Sequence, residues 1–298
     1  MQISPRRVIV LGGTGFLGRR VVRRLQQQGC SVSAGTRAPG APPPEEWESG
    51  VQQVQVDLAE QSVMARALSG AGWVVNCIGF YAETRQQSFQ DVHLAGARRI
   101  ARLVQETPGQ RLIHISGIGA SLHSPSAYVR ARAEGEVAVR SACPDAVILR
   151  PSVMFCLGGT FFGDLQKIAA RLPLIPLFGT GRTRLQPVWV EDVAEAVACV
   201  LEGPRAKRKV YELGGPDVFA YRDILRRLAA RTGRRRLLLP VPFALWRLAA
   251  ALLAPLPKPP VTHAQIALMR RDNTVGAGVA GFTDLGIKPH SAVAMGLV

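Results

Sequence analysis

The chain has 298 residues, of which 47% are hydrophobic and 19% charged. That balance describes a folded globular protein and excludes a disordered or collagen-like chain. A formal net charge of +16, carried by 37 basic residues of which only five are lysine, favours an anionic membrane surface or an acidic protein as partner. No nucleic-acid-binding motif accompanies that charge, and nucleic acid is not expected as a partner.

The first predicted element is a β-branched run at 7–11, of the kind buried on both faces of a parallel sheet. Gly12, Gly15 and Gly18 follow in a G-x-x-G-x-x-G register. A helical pattern then runs over 16–28, with Leu17, Val21, Val22 and Leu25 inward and Arg19, Arg20, Arg23 and Arg24 toward water. Strand, glycine turn and helix together form the context in which backbone N–H groups and the helix dipole hold a dinucleotide pyrophosphate.

Further strands are predicted at 31–36, 52–56, 73–78, 111–116 and 146–150, and helices at 60–69, 88–106 and 127–141. Short strands alternating with helices imply βαβ units and a parallel sheet. The stretch APGAPPPEEWESG at 38–50 reads as a proline-rich surface loop. The second strand ends in Thr36 and Arg37, where an NAD-preferring fold usually places an acidic residue for the ribose 2′-hydroxyl. Arg37 would instead clamp a 2′-phosphate, so NADP(H) is expected over NAD(H), with NAD(H) still possible.

Beyond residue 150 the alternation loosens. Segments such as RLPLIPLFGTG, VYELGGPDVFAYRDI and LLLPVPFALW are expected to build a second lobe over the carboxyl ends of the strands. The apolar run from Leu237 to Pro257 is broken by Pro240, Pro242, Arg247 and Pro255, which leaves FALWRLAAALLA, too short to span a membrane. A core helix of the second lobe is the expectation there, with an interfacial helix on lipid as the alternative.

The remaining residues carry no further chemistry. The cysteines Cys30, Cys77, Cys143, Cys156 and Cys199 stand singly, with neither a disulfide framework nor a zinc site in their spacing. His93, His114, His123, His263 and His290 lack metal-ligand spacing, and His114 reads as a satisfied core histidine. Glu191 and Asp192 open a helix, where carboxylates favour the dipole, and read as structural. The N-terminal MQISPRR has no apolar signal core, so a cytoplasmic protein is expected.

Taken with GGTGFLG at 12–18, the motifs NCIG at 76–79, YVRAR at 128–132, LRPSVMF at 149–155 and PVWVEDVAEAV at 187–197 resemble the extended and atypical short-chain dehydrogenase/reductases. The tail, LPKPPVTHAQIALMRRDNTV at 256–275 and DLGIKP at 284–289, resembles the branch holding the nucleotide-binding accessory subunit of respiratory complex I and its bacterial relatives. The resemblance assigns Gly12, Thr14, Gly15, Phe16, Leu17 and Gly18 to the phosphate loop. It sets Asp57 and Leu58 beside the adenine, Cys77, Ile78 and Gly79 after the fourth strand, and Pro151 and Val153 beside the nicotinamide. It makes Tyr128 the active-site tyrosine and Ser116 the active-site serine.

One position departs from the pattern: Arg132 stands where the superfamily has lysine. At i and i+4 the pair still shares a helix face. Arginine keeps the charge and the donors but cannot relay a proton.

The expected fold is α/β, a Rossmann-type doubly wound parallel sheet with a small C-terminal α/β lobe. The dinucleotide-binding domain is assigned to 1–155 and the lobe, interleaved with the sheet, to 156–298. The resemblance implies a protein that holds NADPH in a structural or accessory role, linked to a respiratory membrane complex and peripheral at the inner face of its membrane. An active carbonyl or quinone reductase using Tyr128 is the second expectation. A sugar-nucleotide epimerase or dehydratase is the third.

Overall fold

The computed structural model describes residues 6–298 except 82, 85, 86, 158, 204–206, 232, 234, 235, 255 and 257–259. Pro255 and Pro257 of the apolar run therefore lie outside the described residues. The first half alternates as expected: β1 (Arg7–Leu11), α1 (Gly18–Gln27), β2 (Ser31–Thr36), β3 (Gln52–Gln55), α2 (Gln61–Leu68) and β4 (Trp73–Asn76). A π-helical stretch at Gln90–Gly96 then leads into α3 (Ala97–Glu106), β5 (Arg111–Ile115), α4 (Ala127–Ala142) and β6 (Val147–Pro151). The pattern at 88–106 is thus two elements rather than one helix. The π-helical stretch buries Val92, His93 and Gly96, on the same face that α3 continues with Ala97, Ile100, Ala101 and Val104.

In the second half come β7 (Met154–Cys156), α5 (Thr160–Arg171), β8 (Leu174–Phe178), β9 (Arg184–Leu185), β10 (Val188–Trp189) and α6 (Val190–Glu202). They are followed by β11 (Val210–Leu213), β12 (Phe219–Ala220), α7 (Tyr221–Ala230), β13 (Leu237–Val241), α8 (Phe243–Leu253) and α9 (His263–Leu268). Seven strands form one sheet in the order β11-β6-β5-β4-β1-β2-β3, and every neighbouring pair is parallel. The order reverses between β1 and β4. In such a sheet the crevice outside the carboxyl ends at that reversal is where ligands bind.

Two packed layers follow from strand alternation. Val8 and Val10 of β1 join Val21, Val22 and Leu25 of α1 and the apolar side of α6. Ile9 and Leu11 join Met64 of α2, Ile100 and Val104 of α3 and Val139 of α4 on the opposite face. Each such fully buried side chain contributes about 1.5–3 kcal/mol.

The α1 arginines correct the expectation of a water-facing row. Arg20 is buried and bridges to Glu191 at 3.2 Å, Arg23 bonds the same carboxylate at 2.7 Å, and Arg24 pairs with Glu195. These carboxylates all come from α6. The structural reading of Glu191 thus acquires a specific partner, and Asp192 accepts from the backbone N–H of His290 at 2.7 Å.

The segment at 210–213 extends the main sheet beside β6 instead of joining the second lobe. The lobe proper is built from small sheets, β8 with β13 and β9 with β12, around a separate cluster that includes Phe162, Ile175, Leu177, Ile224 and Leu228. The helix at 243–253 does not become a core helix. Ala250 alone is fully buried there, while Leu245, Leu248 and Leu252 are 55%, 57% and 71% exposed. Among the described residues no helix is long and apolar enough to cross a membrane.

Candidate functional site

The glycine loop closes on its neighbours through backbone alone. The N–H groups of Gly12 and Gly13 both donate to the Gly35 carbonyl of β2, at 2.9 and 3.1 Å, and Gly15 donates to the Gly12 carbonyl at 2.9 Å. Gly12 has φ +72°, and its α-carbon lies against the Cys77 carbonyl and the Ile78 N–H just after β4. At Gly18 a Cβ would lie 2.0 Å from the Gly12 carbonyl oxygen, so the chain itself demands glycine there.

Gly15 is different. An added Cβ would meet only the Gly12 oxygen, at 3.1 Å, and φ is ordinary. Within the chain that one contact is tight but relieved by a shift of a few tenths of an ångström; a pyrophosphate approaching the loop makes the stronger demand for glycine. The residues present therefore fit a dinucleotide.

The other predicted residues sit at the carboxyl ends of successive parallel strands. Thr14 reaches Thr36 at the end of β2, hydroxyl to hydroxyl, at 3.4 Å. Arg37 is exposed beside it and donates to the Gln87 side chain at 3.3 Å. Phe16 carries the Arg20 guanidinium over its ring at 4.6 Å, and Leu17 is buried in the α1 layer. Past β3, Asp57 spends a carboxylate oxygen on the backbone N–H of Ala59, and Leu58 packs with the α2–α3 layer. Beyond β4, burial pushes the Cys77 thiol up to about 12, Ile78 is anchored by the Asn76 side chain, and Gly79 lies against the His93 ring.

Tyr128 and Arg132 occupy one face of α4. The Arg132 Nη1 donates to the Tyr128 hydroxyl at 2.6 Å, and its guanidinium also lies over the ring at 5.4 Å. Burial pushes the Tyr128 phenol well above the ordinary tyrosine value, and Arg132 offsets only part of that. Tyr81, Phe89 and His93 surround the ring with centroids 5.2–5.5 Å away. His93 is held down to about 4 by burial and by Arg132, so it is neutral. His114 is likewise held down to about 4, chiefly by burial, and pairs with Asn76 at 3.1 Å as a core histidine should.

Ser116 follows β5 with its hydroxyl buried and no hydrogen-bond partner within the described residues. Next to it, a Cβ at Gly117 would stand 2.6 Å from Arg132 Nη1 and 2.8 Å from the guanidinium carbon. The absent side chain at 117 is the space that Arg132 fills. Sequence reasoning had not linked the two; a bulkier cation at 132 calls for a smaller neighbour, and that is the signal available in the sequence.

Asn273 was also missed. Its side-chain oxygen accepts from the Val153 N–H at 2.9 Å and the Ser152 hydroxyl at 2.6 Å, while Pro151 receives the Ile118 N–H. The tail thereby fixes the segment that the resemblance sets beside the nicotinamide. A cavity of about 560 Å³ opens beside Tyr128, lined among others by Phe89, Ser126, Arg247, His263 and Arg270. Among the described residues no cluster of histidine, cysteine or carboxylate can hold a metal ion.

Comparison with known proteins fits this geometry. The NAD dependent epimerase/dehydratase family matches residues 8–214. NADH dehydrogenase (ubiquinone) 1 alpha subcomplex subunit 9 of Arabidopsis thaliana is 33% identical over 296 residues, spanning 94% of this chain and 74% of that protein. Ceramide reductase of Caulobacter vibrioides is 32% identical over 198 residues, spanning 66% of this chain and 61% of that protein. The Thermus thermophilus UDP-glucose 4-epimerase, solved with NAD, superposes with a TM-score of 0.63 at 20% identity, over 79% of this chain and 86% of that one. The chain belongs to the NAD dependent epimerase/dehydratase family of extended short-chain dehydrogenase/reductases, in the branch that includes the complex I subunit.

Proposed function

We infer that this protein holds NADP(H) as a standing ligand and serves as an accessory component of a respiratory membrane complex. The observation that carries the reading is Arg132, wedged into the space left by Gly117 and bonded to Tyr128. A nicotinamide dinucleotide, when bound, supplies or accepts a hydride. Proton exchange at the phenol oxygen calls for a pKa tuned toward neutrality and is worth about 10²–10⁴-fold in rate. Here the phenol is raised instead, beside a cation that stays protonated. The residues bind and orient; they are poorly set to move a proton. Similarity to the complex I subunit along 94% of this chain supports the accessory role.

The loops after successive strands and one face of α4 share the work of holding the nucleotide. The Gly12–Gly18 loop presents N–H groups to the pyrophosphate, and Arg37, standing after β2 where NAD-preferring folds usually place an acidic residue, takes the 2′-phosphate. Tyr128 and Arg132 bound the nicotinamide ribose, and Ser116 supplies a buried hydroxyl with no partner among the described residues. Asp57, Leu58, Cys77, Ile78, Gly79, Pro151 and Val153 complete the walls.

A second reading, an NADPH-dependent carbonyl or quinone reductase, is favoured by the cavity beside Tyr128. In that reading Tyr128, which its raised pKa keeps protonated, is the proton donor, and Ser116 orients the carbonyl. The ceramide reductase relative belongs to the same comparison.

Calorimetric titration tests the cofactor. A charge-assisted bidentate contact from Arg37 is worth about 1.5–3 kcal/mol, so NADPH should bind roughly tenfold to a hundredfold more tightly than NADH. Arg37→Ala should abolish that preference while leaving NADH affinity unchanged. Equal affinities in the unaltered protein would overturn the assignment.

A further inference from the structure

The face that α8 turns to solvent is apolar. Phe243, Trp246, Ala250 and Leu253 form the inner side of the helix, with the Trp246 indole N–H donating to the Leu177 carbonyl at 2.9 Å. On the other side Leu245, Leu248 and Leu252 make an exposed stripe at i, i+3 and i+7. Leu237 and Leu239 of β13, immediately before the helix, are 71% and 44% exposed, and Leu256 just after it is 48% exposed.

Charge along the segment that carries this face is one-sided in sequence, although Glu83 lines the cavity that Arg247 and Arg270 share. From Asp223 to Asp272 no residue in between is acidic, although the whole chain carries 21 acidic residues in 298. The same interval holds ten arginines and lysines. Arg247 is exposed one residue before Leu248, and Arg270 places its guanidinium 5.7 Å from the Phe243 ring at the start of α8; both also line the cavity beside Tyr128. Arg236 stands at the entry to β13.

We propose that α8, with β13 beside it, seats this protein on an anionic lipid surface, the helix lying in the plane of the interface. At 1.5 Å per residue its 11 residues reach only about 16 Å, against the roughly 30 Å of a hydrocarbon core, so it lies on the bilayer and does not cross it. Leucine and alanine offer apolar area without specific shape, which is what an acyl boundary accepts. Protein interfaces draw their energy from Trp, Tyr and Arg anchors and use leucine sparingly, and here the two aromatics of the helix face inward. Flanking arginines then meet lipid phosphates, a contact that screening weakens.

This goes beyond the nucleotide-holding reading, which stands on nucleotide binding and turnover and survives a negative result here. The test is flotation of the full-length protein with vesicles of phosphatidylcholine alone, or of phosphatidylcholine with an equal part of phosphatidylglycerol. The protein should float with the anionic vesicles and not with the neutral ones. Binding should fall at least tenfold between about 0.01 M and 1 M salt, as the Debye length shrinks from about 30 Å to 3 Å. Leu248→Glu and Leu252→Glu, both at exposed positions, should each abolish flotation with an unchanged melting temperature and NADPH affinity. Arg247→Gln should weaken it. The proposal is overturned if the protein stays at the bottom with anionic vesicles in low salt, or if both glutamate variants float like the unaltered chain. It is equally overturned if gel filtration shows a dimer that the variants dissolve while no vesicle is bound, because a second copy would then be the occupant.

Discussion

Gly15→Ala should leave the fold intact and remove the dinucleotide, whereas Gly18→Ala should damage both. At position 18 the new methyl would lie 2.0 Å from the Gly12 carbonyl oxygen and 2.8 Å from its carbon. Both are backbone atoms, in a loop already pinned to Gly35. Overpacking of this kind costs about 1–3 kcal/mol, and more where backbone must move. At position 15 the methyl meets one oxygen at 3.1 Å and otherwise open space. Its stability effect should stay within about 0.5 kcal/mol. The methyl nevertheless occupies the volume through which a pyrophosphate approaches the loop. Melting curves paired with NADPH titration separate the two effects. If Gly15→Ala bound NADPH as the unaltered chain does, the phosphates would lie elsewhere.

The second large effect is expected far from the loop. Arg150 on β6 donates to both oxygens of Glu136 on α4, at 3.0 and 2.5 Å, and to Glu212 on β11 at 3.3 Å. Glu136 and Glu212 are 5% and 8% exposed, and the second oxygen of Glu212 accepts the Gly276 N–H at 2.8 Å. The triad joins the edge of the sheet, the helix bearing Tyr128 and the C-terminal tail. Arg150→Ala would leave two buried carboxylates without their cation. Breaking a buried pair from one side costs about 3–5 kcal/mol. At this chain length that lowers the melting temperature by roughly 6–15 °C. Scanning calorimetry of the variant checks it, and a fall of a degree or less would show that water reaches these carboxylates.

Much of the sheet is legible in the sequence because its strands are short β-branched runs buried on both faces. Residues 7–11 and 31–36 coincide with β1 and β2, and 146–150 is displaced by one residue from β6. The errors arise where an answer depends on a distant partner. Arg20, Arg23 and Arg24 look like a solvated row until α6, more than 160 residues later, brings Glu191 and Glu195 across them. A run of leucine and alanine such as 243–253 reads as core because composition says nothing of which neighbours arrive. In the fold α9 and β8 cover one side of that helix only.

At the site, the glycine register and Tyr128 with Arg132 were visible as local spacing. The fit of Arg132 into the volume vacated at Gly117 was not, since it joins a helix to a loop fifteen residues earlier through side-chain size alone. Asn273 is harder still. A single asparagine in a tail gives no sign that its amide will brace the Ser152–Val153 backbone.

That the nucleotide is held and not turned over is tested most directly by steady-state oxidation of NADPH against a panel of quinones and carbonyl compounds. Enzymes of ordinary competence turn over at about 1–10³ per second. The unaltered protein should fall well below that range with every acceptor, and Tyr128→Phe should leave this rate unchanged and NADPH affinity nearly intact. Arg132→Lys, which restores the superfamily's residue, should if anything raise the rate. Rapid turnover by the unaltered protein, abolished in Tyr128→Phe, would contradict the account and make this chain a working reductase.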